Sequence, residues 1–247
     1  MSAIDEQLAF FQKNGYLVVP NALLADEVGL INQAIDWDLR QNKVMWQERG
    51  ESGRRQNVHI LLANPELDVT MRPPILLPLM EAIMGNDLCA EEHSVMIRSP
   101  NLDGSTQCRW HRDASGSAQP PYYTRYLSVV FYLTDVDDTT HTFSVLPGTA
   151  QSNQHLSLEN YDLSMAQHLT APKGTATLFN AAMFHAGNIR QTKAERRTIH
   201  IYCGCLSDQY LSNHTIFPRR LWENQDAATQ KYYSRPNPIT KLLIDRF

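Results

Sequence analysis

Only four cysteines occur in 247 residues. Cys89, Cys108, Cys203 and Cys205 form no Cys-x-x-Cys pair and no other metal-ligand spacing. That scarcity excludes a disulfide framework and a thiolate metal site, so they read as small, reduced strand residues. No apolar run approaches the roughly 18 residues of a membrane span. The opening Met1-Ser2-Ala3-Ile4-Asp5-Glu6 has no basic region leading into an apolar one. A soluble, cytoplasmic protein with no membrane partner is expected. A basic block is missing too: 22 Lys and Arg stand against 26 Asp and Glu, a net charge of −4. This removes the electrostatic footprint of a nucleic-acid binder. Nothing marks a linker, and the length suits one domain with a full core.

Read in order, Ile4, Leu8 and Phe11 recur at helical spacing and Asn14-Gly15 supplies a left-handed stop. Tyr16 to Pro20 follows as a short strand. Asp26 is expected to cap a second helix with Val28, Ile31, Ala34, Ile35 and Leu39 on its apolar face. Residues 41–72 have no clear period and are expected to form a lid over a substrate pocket. Pro73-Pro74 opens a helix through Leu76, Leu79, Met80 and Ile83, which Gly85 closes. From Leu88 the pattern turns to strands: Ser94 to Arg98, the run ending near residue 113, Tyr126 to Leu133, Phe143 to Leu146, Thr175 to Phe179 and Arg196 to Cys205. After Asp208 it stops, and Leu221 to Tyr233 reads as a helix packed on the sheet or in a subunit contact. The fold class is therefore mainly β with flanking helices (α+β), built on a jelly roll, the double-stranded β-helix of cupin-like proteins. Residues 1–87 form a mostly helical N-terminal scaffold with the lid, 88–206 the jelly-roll core and 207–247 a C-terminal extension.

The chemistry sits in Gln107-Cys108-Arg109-Trp110-His111-Arg112-Asp113. Side chains at i and i+2 of an extended chain share a face, so His111 and Asp113 can offer an imidazole and a carboxylate to one metal ion. A third ligand is needed, and His185 is placed to supply it. Two histidines and a carboxylate with open positions are the ligand set of non-haem Fe(II) oxygenases. Arg196, eleven residues after His185 in an alternating run, can pair bidentately with the far carboxylate of a dicarboxylate co-substrate. Arg197 is its rival and Arg190 a third candidate. If Arg196 faces inward, Thr198, His200 and Tyr202 go with it, as Gln107 and Arg109 go with His111. Gln107 and Thr198 are assigned to the co-substrate, and Arg109, Arg98, His200 and Tyr202 to the substrate. Arg98, Arg109 and Arg125 would suit an anionic group, and Trp46, Trp110, Tyr122 and Tyr123 an extended or aromatic body.

The order His-x-Asp, a long gap, His, then Arg eleven residues on resembles the Fe(II)/2-oxoglutarate-dependent dioxygenases. Phe11-Gln12-Lys13-Asn14-Gly15-Tyr16, Leu133-Thr134-Asp135-Val136, Leu146-Pro147-Gly148-Thr149 and His185-Ala186-Gly187-Asn188 narrow the resemblance to the phytanoyl-CoA dioxygenase family, from about residue 8 to about residue 206. Two places depart from it: His141 stands where the family often has glycine, and Ala150 where it often has histidine. The loops there are expected to be shaped for a different substrate. The resemblance implies a jelly roll with Fe(2+) at His111, Asp113 and His185, 2-oxoglutarate at Arg196, dioxygen as oxidant, and ascorbate as a reductant in vitro. It implies release of succinate and CO2, with hydroxylation of an unactivated C–H bond in a small or medium-sized metabolite, as in secondary metabolism. Related halogenases resemble glycine or alanine at the Asp113 position, so halogenation is not expected. Desaturation, cyclisation or epimerisation at the same site is the alternative. Readings from other classes are a non-catalytic jelly-roll metabolite-binding protein and a zinc hydrolase. A monomer or homodimer is expected.

Overall fold

Helix α1 (Ala3–Asn14) starts at a capping box: Ser2 Oγ accepts the Asp5 N–H at 3.2 Å while Asp5 Oδ2 accepts the Ser2 N–H at 2.7 Å. It ends at Gly15, whose φ of 83° is the left-handed stop expected there. Helix α2 (Ala25–Gln41) is capped at Leu24 and not at Asp26. Glu27 reaches back to the Leu24 N–H at 2.7 Å, which places Asp26 inside the first turn. Helix α3 (Leu77–Met84) begins after Pro73-Pro74, which lie in the preceding turn, and Gly85 follows it with φ 75°. In this computed structural model, residues 2–49, 53–114, 124–150, 157–212 and 214–244 are described.

Eleven strands are formed among those residues: β1 (Tyr16–Val19), β2 (Gln47–Arg49), β3 (Arg54–Asn57), β4 (Leu88–Arg98), β5 (Gln107–Cys108), β6 (Leu127–Tyr132), β7 (Thr142–Val145), β8 (Gln167–Leu169), β9 (Ala176–Asn180), β10 (His185–Ile189) and β11 (Arg196–Cys205). They make a seven-stranded sheet in the order β1-β9-β6-β11-β4-β3-β2 and a four-stranded sheet in the order β5-β10-β7-β8. Every pairing is antiparallel. This is the jelly-roll architecture that the strand pattern pointed to. No helix among the described residues is long and apolar enough to cross a membrane.

Alternation along the large sheet separates two cores. Val129, Phe131, Ile199, Ile201 and Cys203 pack with helix residues such as Val28, Ile31, Ile35 and Met80. Val130, Tyr132 and Phe179 instead join Phe143, Val145 and Leu169 of the small sheet. Each such large side chain stabilises the fold by roughly 1.5–3 kcal/mol. On β11 the same parity sends Arg196, His200 and Tyr202 to the inter-sheet side, where they line a cavity.

Residues 41–72, the expected lid, do reach the cavity through Arg54 and Gln56. They hold the hairpin β2–β3, which extends the large sheet at β4, together with short 3-10 turns. Their anchor is Asp38, only 1% exposed. Its Oδ1 accepts the Nδ2 groups of Asn42 (2.6 Å) and Asn64 (2.9 Å), and its Oδ2 accepts Trp46 Nε1 (2.8 Å) and Asn57 Nδ2 (2.9 Å). Trp46 is thus a structural donor here.

Strand β4 carries a bulge. Tyr202 pairs with Glu92 but Cys203 with Ala90, so Glu91 is the extra residue. Its buried carboxylate pairs with Arg235 and accepts the Leu211 N–H at 3.1 Å. Gly204 leaves room for this carboxylate, since a Cβ there would stand 2.6 Å from Glu91 Oε1 and would have to displace it. The expected 221–233 helix is interrupted. A 3-10 turn at Arg219–Leu221 is followed by helix α4 (Ala227–Tyr232), which Asp226 caps through the Ala228 and Thr229 N–H groups, and then by helix α5 (Pro238–Leu243). Tyr232 ties α4 to the core by donating to Met71 O at 2.8 Å.

His93 of β4 is fully buried beside Thr70 Oγ1 at 3.1 Å, and burial pushes its pKa down to about 3. An unfolded histidine takes its proton near 6.5. Between about pH 6.5 and 3 only the unfolded chain is protonated at this residue. Stability is therefore intact above that window and falls by about 1.4 kcal/mol per pH unit as pH drops through it. Melting from pH 7 to 5 should be steeper in the natural protein than in His93→Gln; equal slopes would remove His93 as the cause.

Candidate metal centre

His111 follows β5 and pairs with His185, the first residue of β10, in an isolated bridge. Each residue's N–H donates to the other's carbonyl at 3.0 Å. Asp113 is held by its own N–H on Ala181 O at 3.0 Å. Each ring then turns Nδ1 onto the carbonyl two residues earlier, His111 on Arg109 O and His185 on Met183 O, both at 3.0 Å. Nδ1 is the donor in this arrangement, which leaves Nε2 as a lone pair. The two Nε2 atoms lie 3.4 and 3.1 Å from Asp113 oxygens, and one ligand atom from each residue falls within 4.8 Å of the others. Burial opposes the charge on Asp113, but the adjoining His111 and His185 rings and the Tyr202 hydroxyl hold its pKa far below the usual carboxylate range. Tyr202 donates to Asp113 Oδ2 at 2.6 Å, and burial keeps that phenol protonated.

Arg112, between two of these residues, points the other way. Its guanidinium lies 4.0 Å from the Phe184 ring centroid and donates to Thr149 O at 3.1 Å. Thr149 Oγ1 in turn accepts the Phe184 N–H at 3.0 Å. The Leu146-Pro147-Gly148-Thr149 turn thereby clamps the 111–113 segment to the start of β10.

The three residues open into a cavity of about 540 Å³. At one end Arg196 is buried, with Nε and Nη1 lacking a hydrogen-bond partner among the described residues. Arg98 lies beside it in register across β4 and β11. Both guanidinium groups reach Gly187, where a Cβ would be 3.8 Å from Arg98 and 4.0 Å from Arg196. Burial, with Arg196 and Arg54 nearby, lowers the Arg98 pKa to about 10. Such a pocket suits a carboxylate. Arg197 faces the opposite side, 2.7 Å from both Asp36 and Glu195, and Arg190 donates to Asp138 O.

Gln107, Arg109, His200 and Tyr202 line the cavity. Thr198 instead stands 3.0 Å from His200 Nε2, and burial pushes the His200 pKa down to about 3. Arg125 is taken up by Asp208, with Nε donating at 2.6 Å. Tyr122 and Tyr123 lie outside the described residues. His141 is a buried brace, its Nε2 on Ser99 O at 3.0 Å and its Nδ1 accepting the Arg190 N–H at 3.2 Å. Sequence reasoning missed Arg54, Gln56, Glu92, Ser212 and His214, which also line the cavity. Arg54 and Gln56 lie in the 41–72 segment expected over the pocket, and Glu92 falls in step with Arg98, Met96 and Ser94 in a strand read only from Ser94 onward.

Solved structures share this fold. The non-haem α-ketoglutarate-dependent epimerase SnoN from nogalamycin biosynthesis is 16% identical with a TM-score of 0.68, over 86% of this chain and 89% of its own. HygX from Streptomyces hygroscopicus, solved with nickel, 2-oxoglutarate and hygromycin B bound, is 17% identical with a TM-score of 0.65, over 85% and 90%. The carbocyclase SnoK from nogalamycin biosynthesis is 17% identical with a TM-score of 0.63, over 83% and 84%. No curated protein matches the chain by sequence. The sequence profile of phytanoyl-CoA dioxygenase (PhyH) matches residues 11–198, well over half of the chain. The chain therefore belongs to the phytanoyl-CoA dioxygenase family, enzymes that use non-haem iron(II), 2-oxoglutarate and dioxygen.

Proposed function

We propose that His111, Asp113 and His185 hold iron(II), that Arg196 and Arg98 take the far carboxylate of 2-oxoglutarate, and that the enzyme hydroxylates a C–H bond of a small or medium-sized organic molecule. The observation that carries this reading is a cavity with three convergent ligand atoms on its wall and, at one end, a buried guanidinium whose Nε and Nη1 lack a partner among the described residues. A zinc hydrolase would leave Arg196 without a task, and a passive binder has no use for all four of His111, Asp113, His185 and Arg196. Iron(II) with 2-oxoglutarate and dioxygen supplies, when bound, the oxidising power for C–H cleavage, with succinate and CO2 released. The protein's part is to orient and enclose. The two Nδ1 contacts fix the imidazole tautomers, and Tyr202 fixes the Asp113 carboxylate. Thr198 steadies His200, which burial keeps neutral beside the cavity.

Succinate formation from 2-oxoglutarate with Fe(II) and ascorbate tests the assignment. Mass spectrometry of the product formed under labelled dioxygen tests hydroxylation: one labelled oxygen is expected, and an unlabelled product would point to desaturation, cyclisation or epimerisation. Arg196→Gln should raise the KM for 2-oxoglutarate ~10–100-fold, the effect of losing charge-assisted hydrogen bonds in a desolvated site. Arg197→Gln, on the other face, should leave it within about twofold; the reverse ranking would mean that β11 is out of register by one residue. Tyr202→Phe should weaken iron binding ~10–100-fold while the protein melts nearly as before. Unchanged metal affinity by calorimetry would leave Tyr202 as a wall residue only.

A further inference from the structure

This inference rests on the reading of the cavity as the iron and 2-oxoglutarate site, and concerns the molecule that is oxidised. Arg196, His200 and Tyr202 line the cavity from β11, and the strand from Arg196 to Tyr202 spans about 20 Å. At its start Arg196 and Arg98 converge on Gly187, the end assigned to 2-oxoglutarate. At its far end Tyr202 donates to Asp113 Oδ2 at 2.6 Å. The space beyond Tyr202, away from 2-oxoglutarate, is therefore what is left for the oxidised molecule.

Glu92, Leu211, Ser212 and His214 wall that space. Glu92 pairs with Tyr202 across β4 and β11, which puts its carboxylate on the same inner face, next to the tyrosine that holds Asp113. His214 Nδ1 lies 4.0 Å from Glu92 Oε2, close enough to attract it and too far for a hydrogen bond. The His214 side chain is 65% exposed, so this end opens to solvent. Buried Ser212 accepts the His214 N–H on Oγ at 3.2 Å, which leaves its own O–H to donate. A carboxylate has about four acceptor sites, so Glu92 can serve neighbours in the protein and a ligand together. One wall thus offers a charged acceptor and a neutral donor, joined through His214.

A hydroxyl group is donor and acceptor at once and uses both. An ammonium has nothing for Ser212 to donate to, an ether nothing to give Glu92, and a carboxylate is repelled by Glu92. We propose that the substrate is a polyol or other hydroxyl-bearing molecule, one hydroxyl of which donates to Glu92 and accepts from Ser212. The charge-assisted bond to Glu92 is the stronger of the two, and an anchor beside the metal decides which neighbouring C–H bond is presented.

The test uses protein loaded with diamagnetic Zn(II) and saturating 2-oxoglutarate, read by ligand-observed saturation-transfer NMR, and four probes on one skeleton: cis-1,2-cyclohexanediol, its dimethyl ether, cyclohexylamine and cyclohexanecarboxylate. The diol is expected to bind at least tenfold more tightly than the ether or the carboxylate, and more tightly than the amine. Glu92→Gln should weaken diol binding about tenfold and Ser212→Ala about threefold, while 2-oxoglutarate affinity by calorimetry stays within twofold in both. Should Glu92→Gln not fold, Ser212→Ala and the probe ranking still decide. A diol bound no more tightly than its ether, an amine or carboxylate bound most tightly, or diol binding that neither variant weakens overturns the proposal, as does a loss of 2-oxoglutarate affinity equal to the loss of diol binding. Failure of 2-oxoglutarate itself to bind the natural protein would instead overturn the site reading beneath it.

Discussion

Replacing His185 with alanine is expected to give a folded protein with almost no 2-oxoglutarate turnover. Losing a group that merely supports a ligand costs ~10–100-fold in metal affinity or activity, and loss of the ligand itself should exceed that range. The fold should survive because the backbone bonds between His185 and His111 use no side chain. The truncation does leave a gap against Phe179 and Phe143, whose ring centroids lie 4.6 and 5.6 Å from that of His185. A few degrees of melting temperature should go with it. His111→Ala and Asp113→Ala should match the effect on turnover. Calorimetric titration with Fe(II), set beside succinate formation, separates lost metal from lost chemistry. Normal turnover in any one variant removes that residue from the ligand set.

The largest effect on stability is expected at Asp38. Asp38→Ala strands four donors, and an unsatisfied buried donor costs about 1–3 kcal/mol. Relaxation toward water at the partly buried Asn42 and Trp46 reduces the sum, so a loss of about 3–5 kcal/mol is expected, or ~10 °C in melting temperature at this chain length. Asp38→Asn keeps the shape and one acceptor oxygen, and should fall between. Because Asn57 closes β3, which brings Arg54 and Gln56 to the cavity, the variant should disturb that wall of the cavity before the metal end. Denaturant titration with paired metal-affinity measurements checks both; a change below about 1 kcal/mol would mean that water replaces the carboxylate at no cost.

Local signals were legible in the sequence and non-local ones were not. His111 and Asp113 are two residues apart, so their convergence needs only an extended segment. Arg196 is separated from Arg197 by strand parity alone. The α1 stop at Gly15 is likewise a property of one residue. Residues 41–72 resisted because Asn42, Trp46, Asn57 and Asn64 serve a single carboxylate and follow no helix or strand period. Strand β10 was hidden because His185-Ala186-Gly187-Asn188-Ile189 is defined by its partners β5 and β7 and has little strand propensity of its own. Arg54 and His214 reach the cavity by edge pairing and by the chain after β11, and neither can be read from neighbouring residues.

Because Glu91 is the extra residue of β4, two adjacent glutamates are sent to different places. Glu91 grips the chain after β11 through Arg235 and the Leu211 N–H, while Glu92 enters the cavity. The segment so gripped brings Leu211, Ser212 and His214 to the cavity wall, and it lies beyond the 11–198 region shared with the family. One wall of the cavity is thus held by the bulge of β4 and the chain after β11, and the wall that bears His111, Asp113 and His185 by the small sheet and the turn before it.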